Sequence, residues 1–181
     1  SMEYHKLEDT FVCFIGIRTI ESPRVSNFIS FIQSLSLPEV TVQLVSARSV
    51  YGPDHLLGIL KIALECQKRS LALSHKPQTD LLLRLSFTNQ IALAFDRSGL
   101  KKFLPAVVIL YSTDKKKLAR TRAKIMGNLS TVVDDAVLAA SDESRDYIFQ
   151  LLGSGKNMCL IDENKDFVTQ YLIERSALIV K

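Results

Sequence analysis

The stretch Thr10-Phe11-Val12-Cys13-Phe14-Ile15-Gly16-Ile17 (TFVCFIGI) sets the first element of the fold. It is rich in β-branched and aromatic residues, and its length suits a strand with at least one buried face. Working outward, Val25, Phe28, Ile29, Ile32 and Leu35 recur at helical spacing after Pro23, which predicts a helix. Residues 40–47 (VTVQLVSA) alternate and predict a second strand. Tyr51-Gly52-Pro53 then turns the chain, and Pro53 or Asp54 opens an amphipathic helix to about Arg69, with His55, Leu56, Ile59, Leu60, Ala63 and Leu64 as its stripe.

Residues 81–87 (LLLRLSF) form the most apolar run and are expected to be a central strand. A helix is expected over residues 89–98 with Gly99 as its stop, then a strand over 107–111. Thr113 or Asp114 should cap a helix through Met126, Ser141 or Asp142 one through Leu152, and residues 165–175 the last helix before a closing strand at 177–180. Strands interspersed singly among helices imply an α/β (α+β) class, with a mixed, mainly antiparallel sheet and helices packed against it. No repeat, low-complexity tract or long linker interrupts the pattern, so the 181 residues are read as one domain.

Composition narrows the function classes. With 47% hydrophobic residues, a chain of this length buries roughly 70% of its unfolded surface without disulfides or metal. Cys13, Cys66 and Cys159 are odd in number and set in apolar surroundings, the pattern of reduced thiols in a reducing compartment, and a cytoplasmic location is expected. Ser1 before Met2 has the look of a cloning remnant, and the polar start SMEYHKLEDT does not read as a secretory signal. Apolar stretches fall well short of the ~20 residues that span a bilayer. A formal charge of +4 permits an anionic partner without requiring one.

Few residues suggest chemistry. Gly153-Ser154-Gly155-Lys156-Asn157 resembles a phosphate-cradling loop superficially. Gln150 stands where the first glycine is needed, and Asn157 where a magnesium-binding hydroxyl is needed, so a helix stop is the simpler reading. His5, His55 and His75 lack metal spacing, and His55 at a helix start reads as a positioned structural imidazole. The pairs Asp134-Asp135 and Asp142-Glu143 suit helix starts. There is no G-x-S-x-G turn. No catalytic residue, cofactor or metal is expected.

Two surface features remain. Lys115, Lys116, Lys117, Arg120, Arg122 and Lys124 crowd one short helix, either as a solvated face or as a contact for RNA phosphates. On the helix over 89–98, Ile91, Ala94, Phe95 and Ser98 share a stripe expected to pack on the sheet. Leu93 then points outward between Asp96 and Arg97, with Leu100 nearby, as a small apolar patch with a charged rim.

Residues 81–99, LLLRLSFTNQIALAFDRSG, resemble the PRPK-binding protein family, the kinase-regulatory subunit of the KEOPS (EKC) complex. Asp80, Leu82, Leu83, Ser86, Asn89, Ile91, Ala94, Phe95 and Gly99 match the family's pattern of an acidic residue, a Ser-containing turn and an Ile-x-x-Ala helix ending at Gly. His55-Leu56-Leu57, the Tyr147-Ile148-Phe149 segment and the tail SALIVK (176–181) are similar to it as well. Many archaeal relatives carry Gly and Arg where this chain has Phe87 and Asn89, and the basic helix from Lys115 is not a shared feature.

The resemblance implies a non-catalytic subunit that binds a small atypical kinase or ATPase, contacts the threonylcarbamoyl transferase only through that kinase, and helps recruit transfer RNA for threonylcarbamoyl-adenosine modification in the cytoplasm, and in the nucleus of a eukaryote. On that basis Asn89, Leu93, Asp96, Arg97 and Leu100 are the expected kinase contacts. Arg69, His75, Lys76 and Arg84 are the expected RNA contacts, with Lys115, Lys116 and Arg120 as a second basic surface. A free-standing RNA-binding module and an enzyme with an unrecognised site are the competing readings.

Overall fold

The computed structural model describes residues 4–19, 22–35, 39–101, 104–129, 132–153 and 164–181. In chain order the elements are β1 (His5–Leu7), β2 (Thr10–Ile17), α1 (Ser22–Ser34), β3 (Thr41–Ser46), α2 (Gly52–Lys68), α3 (Pro77–Leu85), α4 (Ile91–Ser98), β4 (Ala106–Ser112), α5 (Lys115–Leu129), α6 (Asp142–Leu151) and α7 (Lys165–Ala177), with short 3-10 turns at Ala47–Ser49 and Asp135–Leu138. Contacts within the chain cluster into two compact units, one of residues 1–47 and 100–138, the other of residues 48–99 and 139–181.

The first unit holds the sheet, ordered β1-β2-β4-β3, and every pairing in it is antiparallel. The α+β class with a mainly antiparallel sheet is therefore as expected. β4 lies between β2 and β3, with Val108 opposite both Ile15 and Leu44, so all seven of its residues are buried. That double burial explains its unbroken apolar run, AVVILY. Cys13, Ile15 and Ile17 of β2 join Ala106, Val108 and Leu110 of β4 in a core closed by Phe28 and Ile32 of α1 and Leu118, Ile125 and Leu129 of α5.

β1 is too short to cover all of β2, and the free end of β2 pairs with residues 132–134: the Arg18 N–H donates to Val132 O and the Asp134 N–H to Gly16 O. A Cβ at position 16 would stand 2.3 Å from Asp134 O. Only glycine admits this close approach of two backbones.

The second unit is helical. Residues 81–87 are not a central strand: 77–85 form α3, and Asp80, Leu81, Leu82, Leu83, Arg84 and Leu85 are all buried. A short apolar run is equally the mark of a helix buried all round. Pro77 at the first helical turn and Asp80 four residues before Arg84 were the signs that separate the two. No strand closes the chain either, since α7 continues through Ala177 and Leu178 caps it. β1 had no sequence signal, being three residues long.

α2 buries His55, Leu56, Ile59, Leu60 and Ala63, close to the expected stripe. It packs on α7 at Gly58, where a Cβ would collide with the Ile173 side chain. A smaller core of Tyr51, Ile148, Phe149, Val168 and Leu172 joins α6 and α7 to the start of α2.

The His55 imidazole is fully buried, and its Nδ1 accepts the Tyr51 N–H at 2.9 Å, the structural role expected of it. Burial lowers its pKa from 6.5 to about 3. Below about pH 6.5 the unfolded chain therefore takes up a proton that the folded chain refuses, and stability falls by up to ~1.4 kcal/mol per pH unit until about pH 3. Denaturant titrations should show the native chain losing about 2 kcal/mol more than His55→Asn between about pH 6.5 and about pH 5. Parallel losses in the two proteins would refute this account.

Cys13 is buried with a free thiol, and burial pushes its pKa up to about 11. Cys66 is free and half-buried, and Cys159 lies outside the described residues. Of the glycine-rich loop, Gly153 has a left-handed φ of 70° just past α6, in keeping with a helix stop, and residues 154–157 lie outside the described residues.

Candidate functional site

The corner between α3 and α4 is built on small polar residues. The Ser86 hydroxyl donates to Ser98 Oγ at 2.7 Å and lies 3.2 Å from Ala94 O, so the buried Ala94 and Ser98 bring α4 close against α3. Arg97 Nη1 donates to Ser86 O at 2.9 Å. The Arg97 carbonyl accepts the hydroxyls of Tyr147 and Ser49, and the Tyr147 ring lies 4.2 Å beneath the Arg48 guanidinium. These hydrogen bonds tie the buried side of α4 to Ser86, Ser49 and Tyr147.

That seam keeps half of the expected facing of α4, since Ala94 and Ser98 are buried as expected, and overturns the rest. Ile91 and Phe95, assigned to a buried stripe, are 52% and 53% exposed, whereas Leu93, expected outside, is half-buried. Sequence reading sent the largest apolar side chains inward. Tertiary packing instead spends the inward face on Ala94 and Ser98, because close helix approach needs small residues there. The i, i+4 pair of small residues opposite Ser86 was the available signal.

The other expected kinase contacts divide. Asp96 is exposed beside Phe95, and Asn89 is exposed with its Nδ2 donating to Val180 O, which ties the C-terminal tail to the start of α4. Arg97 is half-buried and engaged with Ser86. Leu100 belongs to the first unit and packs against its core. Leu178 and Val180 are exposed on the tail. A cleft of about 270 Å³ lies between Phe87, Arg97, Leu151, Arg175 and Leu178.

Of the expected RNA contacts, Arg84 is corrected outright. It is 1% exposed, and its Nε lies 3.4 Å from Asp80 Oδ2, itself fully buried, while Asp80 Oδ1 accepts the Leu73 N–H at 2.8 Å. Its Nη1 and Nη2 have no hydrogen-bond partner among the described residues. A buried guanidinium cannot meet a phosphate at the surface; the i, i+4 pairing with Asp80 holds it inside.

Arg69, His75 and Lys76 are exposed, Arg69 with Glu65 at 3.0 Å. They belong to the second unit, whereas the exposed Lys115, Lys116 and Arg120 belong to the first. Among the described residues no cluster of three His, Cys, Asp or Glu side chains is placed to hold a metal, and no helix is long and apolar enough to cross a membrane.

The exposed side of α4 thus carries two large apolar side chains and a carboxylate. The family model described as Kinase binding protein CGI-121 matches residues 24–152, well over half of the chain. The chain belongs to that family. The match takes in α2, α3 and α4 whole, and with them residues 81–99. Comparison with curated proteins finds no match.

Proposed function

We propose that this chain is the kinase-binding, non-catalytic regulatory subunit of a KEOPS (EKC) complex, acting in cytoplasm and, in a eukaryote, nucleus. In this role it grips the small atypical kinase, touches the threonylcarbamoyl transferase only through it, and helps bring transfer RNA to the site of threonylcarbamoyl-adenosine synthesis. The observation that carries the reading is membership of a family described as kinase binding over residues 24–152. The exposed side of α4 supports it.

Within this reading we assign the kinase contact to Ile91, Phe95, Asp96 and Asn89, with Leu93 in a supporting position. Phe95→Glu removes an exposed ring and sets a charge at the centre of the patch, so it should abolish co-purification with the kinase and leave the thermal midpoint within about 1 °C, as expected of a surface substitution. A complex that survives both Phe95→Glu and Ile91→Glu would move the interface elsewhere. Affinity purification with mass spectrometry tests the wider reading: recovery of a small kinase together with a threonylcarbamoyl transferase supports it, and recovery of neither overturns it.

For transfer RNA the supporting surface on the second unit is Arg69, His75 and Lys76. A free-standing RNA module would bind RNA equally with and without the kinase, and a gel-shift series in both conditions distinguishes that reading.

A further inference from the structure

We infer that α5 carries a phosphate-tracking stripe, formed by Lys116, Arg120 and Lys124, that holds the backbone of a nucleic acid without reading its bases. The inference rests on the transfer-RNA part of the proposed function and adds a surface in the first unit to it.

Residues 115–124 hold six cations, and α5 contains no acidic residue. Half of the six are used locally. Lys115 extends over the rings of Tyr4 and Phe11, at 5.2 and 5.6 Å. Lys117 is paired with Glu39 and Asp114. Arg122 is half-buried and close enough to bias the ionisation of Tyr4 and Cys13. Asp114 itself is spent at the helix start, where the N–H groups of Lys117 and Lys116 hold its carboxyl below the usual carboxylate range.

Lys116, Arg120 and Lys124 remain exposed and stand within 4.0 Å of no carboxylate among the described residues, although the charge of Arg120 helps to lower the Asp114 carboxyl. They recur every four residues, so they stand on one side of the helix at steps of ~6 Å along its axis. Like charges at this spacing destabilise a helix by a few tenths of a kcal/mol per pair. The packing of α5 does not use them, because its opposite side, through Leu118, Thr121, Ile125 and Leu129, supplies it.

The residues beside the stripe choose the partner class. Ala123 and Gly127 are exposed, and a Cβ at Gly127 would meet nothing within 4 Å among the described residues, so a bulky strand can approach the helix closely. A helix lying in a bilayer surface needs an apolar face free to enter it, and the apolar face of α5 is buried. A protein partner is usually anchored by aromatic or aliphatic side chains at the centre of the contact, and the stripe offers none. Charge alone, evenly spaced, is sufficient for a sugar-phosphate backbone.

The test uses the full chain in complex with its kinase and measures unmodified transfer RNA by fluorescence anisotropy across a salt series, for the native chain and for Lys116→Gln/Arg120→Gln/Lys124→Gln. The triple variant should flatten the slope of log K against log salt by roughly 2 and weaken binding at least about tenfold at low salt. Its kinase co-purification should be unchanged and its thermal midpoint equal or higher. An identical salt slope in both proteins overturns the stripe while leaving the transfer-RNA reading intact. Absence of RNA binding by the native complex overturns that reading and this inference with it. Vesicles of phosphatidylcholine and phosphatidylserine, and polyglutamate, serve as competing anions: a variant that loses either of these but keeps its RNA slope also overturns the inference.

Discussion

Replacing Asp80 by alanine should cost the second unit about 3–5 kcal/mol, because it leaves the Arg84 guanidinium buried without its counter-charge. The two side chains are 0% and 1% exposed, and the carboxylate serves two partners at once, Arg84 Nε and the Leu73 N–H. Losing it exposes two buried donors to an apolar setting, and the charged one dominates. For a chain of this size the unfolding midpoint should drop by on the order of 10 °C. The double variant Asp80→Leu/Arg84→Met removes both charges, needs only the Leu73 N–H to find another acceptor, and should regain most of the loss. Scanning calorimetry of the two variants decides the matter: a single variant within 1 kcal/mol of the native chain, or a double variant no better than the single, would show that the pair does not hold α3 in place.

Gly16→Ala is the corresponding experiment in the first unit. Its Cβ would meet Asp134 O at 2.3 Å and Val137 Cβ at 3.1 Å, and a backbone oxygen cannot rotate aside. Residues 132–134 would have to detach from β2, taking with them the hydrogen bonds between Asp134 N and Gly16 O and between Arg18 N and Val132 O. A destabilisation of roughly 3 kcal/mol is expected from the overpacking and lost pairing. Gly127→Ala is the control, because open space surrounds that position among the described residues and alanine is the better helix former by up to ~1 kcal/mol. Denaturant midpoints should therefore move in opposite directions. Equal effects of the two substitutions would mean that glycine matters here through chain entropy and not through the approach at β2.

Both experiments touch places where sequence and structure part company. The helices α1 and α2 were legible in a 3.6-residue apolar period, and α5 and α6 in their start signals, as at Ser141, whose hydroxyl accepts the Ser144 N–H, and Asp114, which takes the N–H groups of Lys116 and Lys117. β2, β3 and β4 were legible through alternation or apolar runs. The run LLLRLSF was misread because full burial erases its periodicity, and only Pro77 ahead of it and the spacing of Asp80 to Arg84 mark it as a helix. The same ambiguity carried Arg84 to a surface in the sequence reading.

The candidate site was legible in place and not in orientation. The segment 89–100 was singled out, and its helix is there, but Ile91 and Phe95 replace Leu93 as its exposed apolar residues. Burial rank follows size only when the neighbouring surface is far enough away to admit large side chains. At the Ser86 corner it is too close, and small residues take the inner face.

Composition, helix caps and periodicity by themselves determined that this chain folds as α+β and that six cations crowd α5, since these depend on residues near one another in sequence. Which apolar run is sheet, which arginine is sealed against an aspartate, and which side of α4 meets the solvent were decided only in three dimensions. Each depends on how closely elements distant in sequence approach, and that distance is set by the packing of the whole unit.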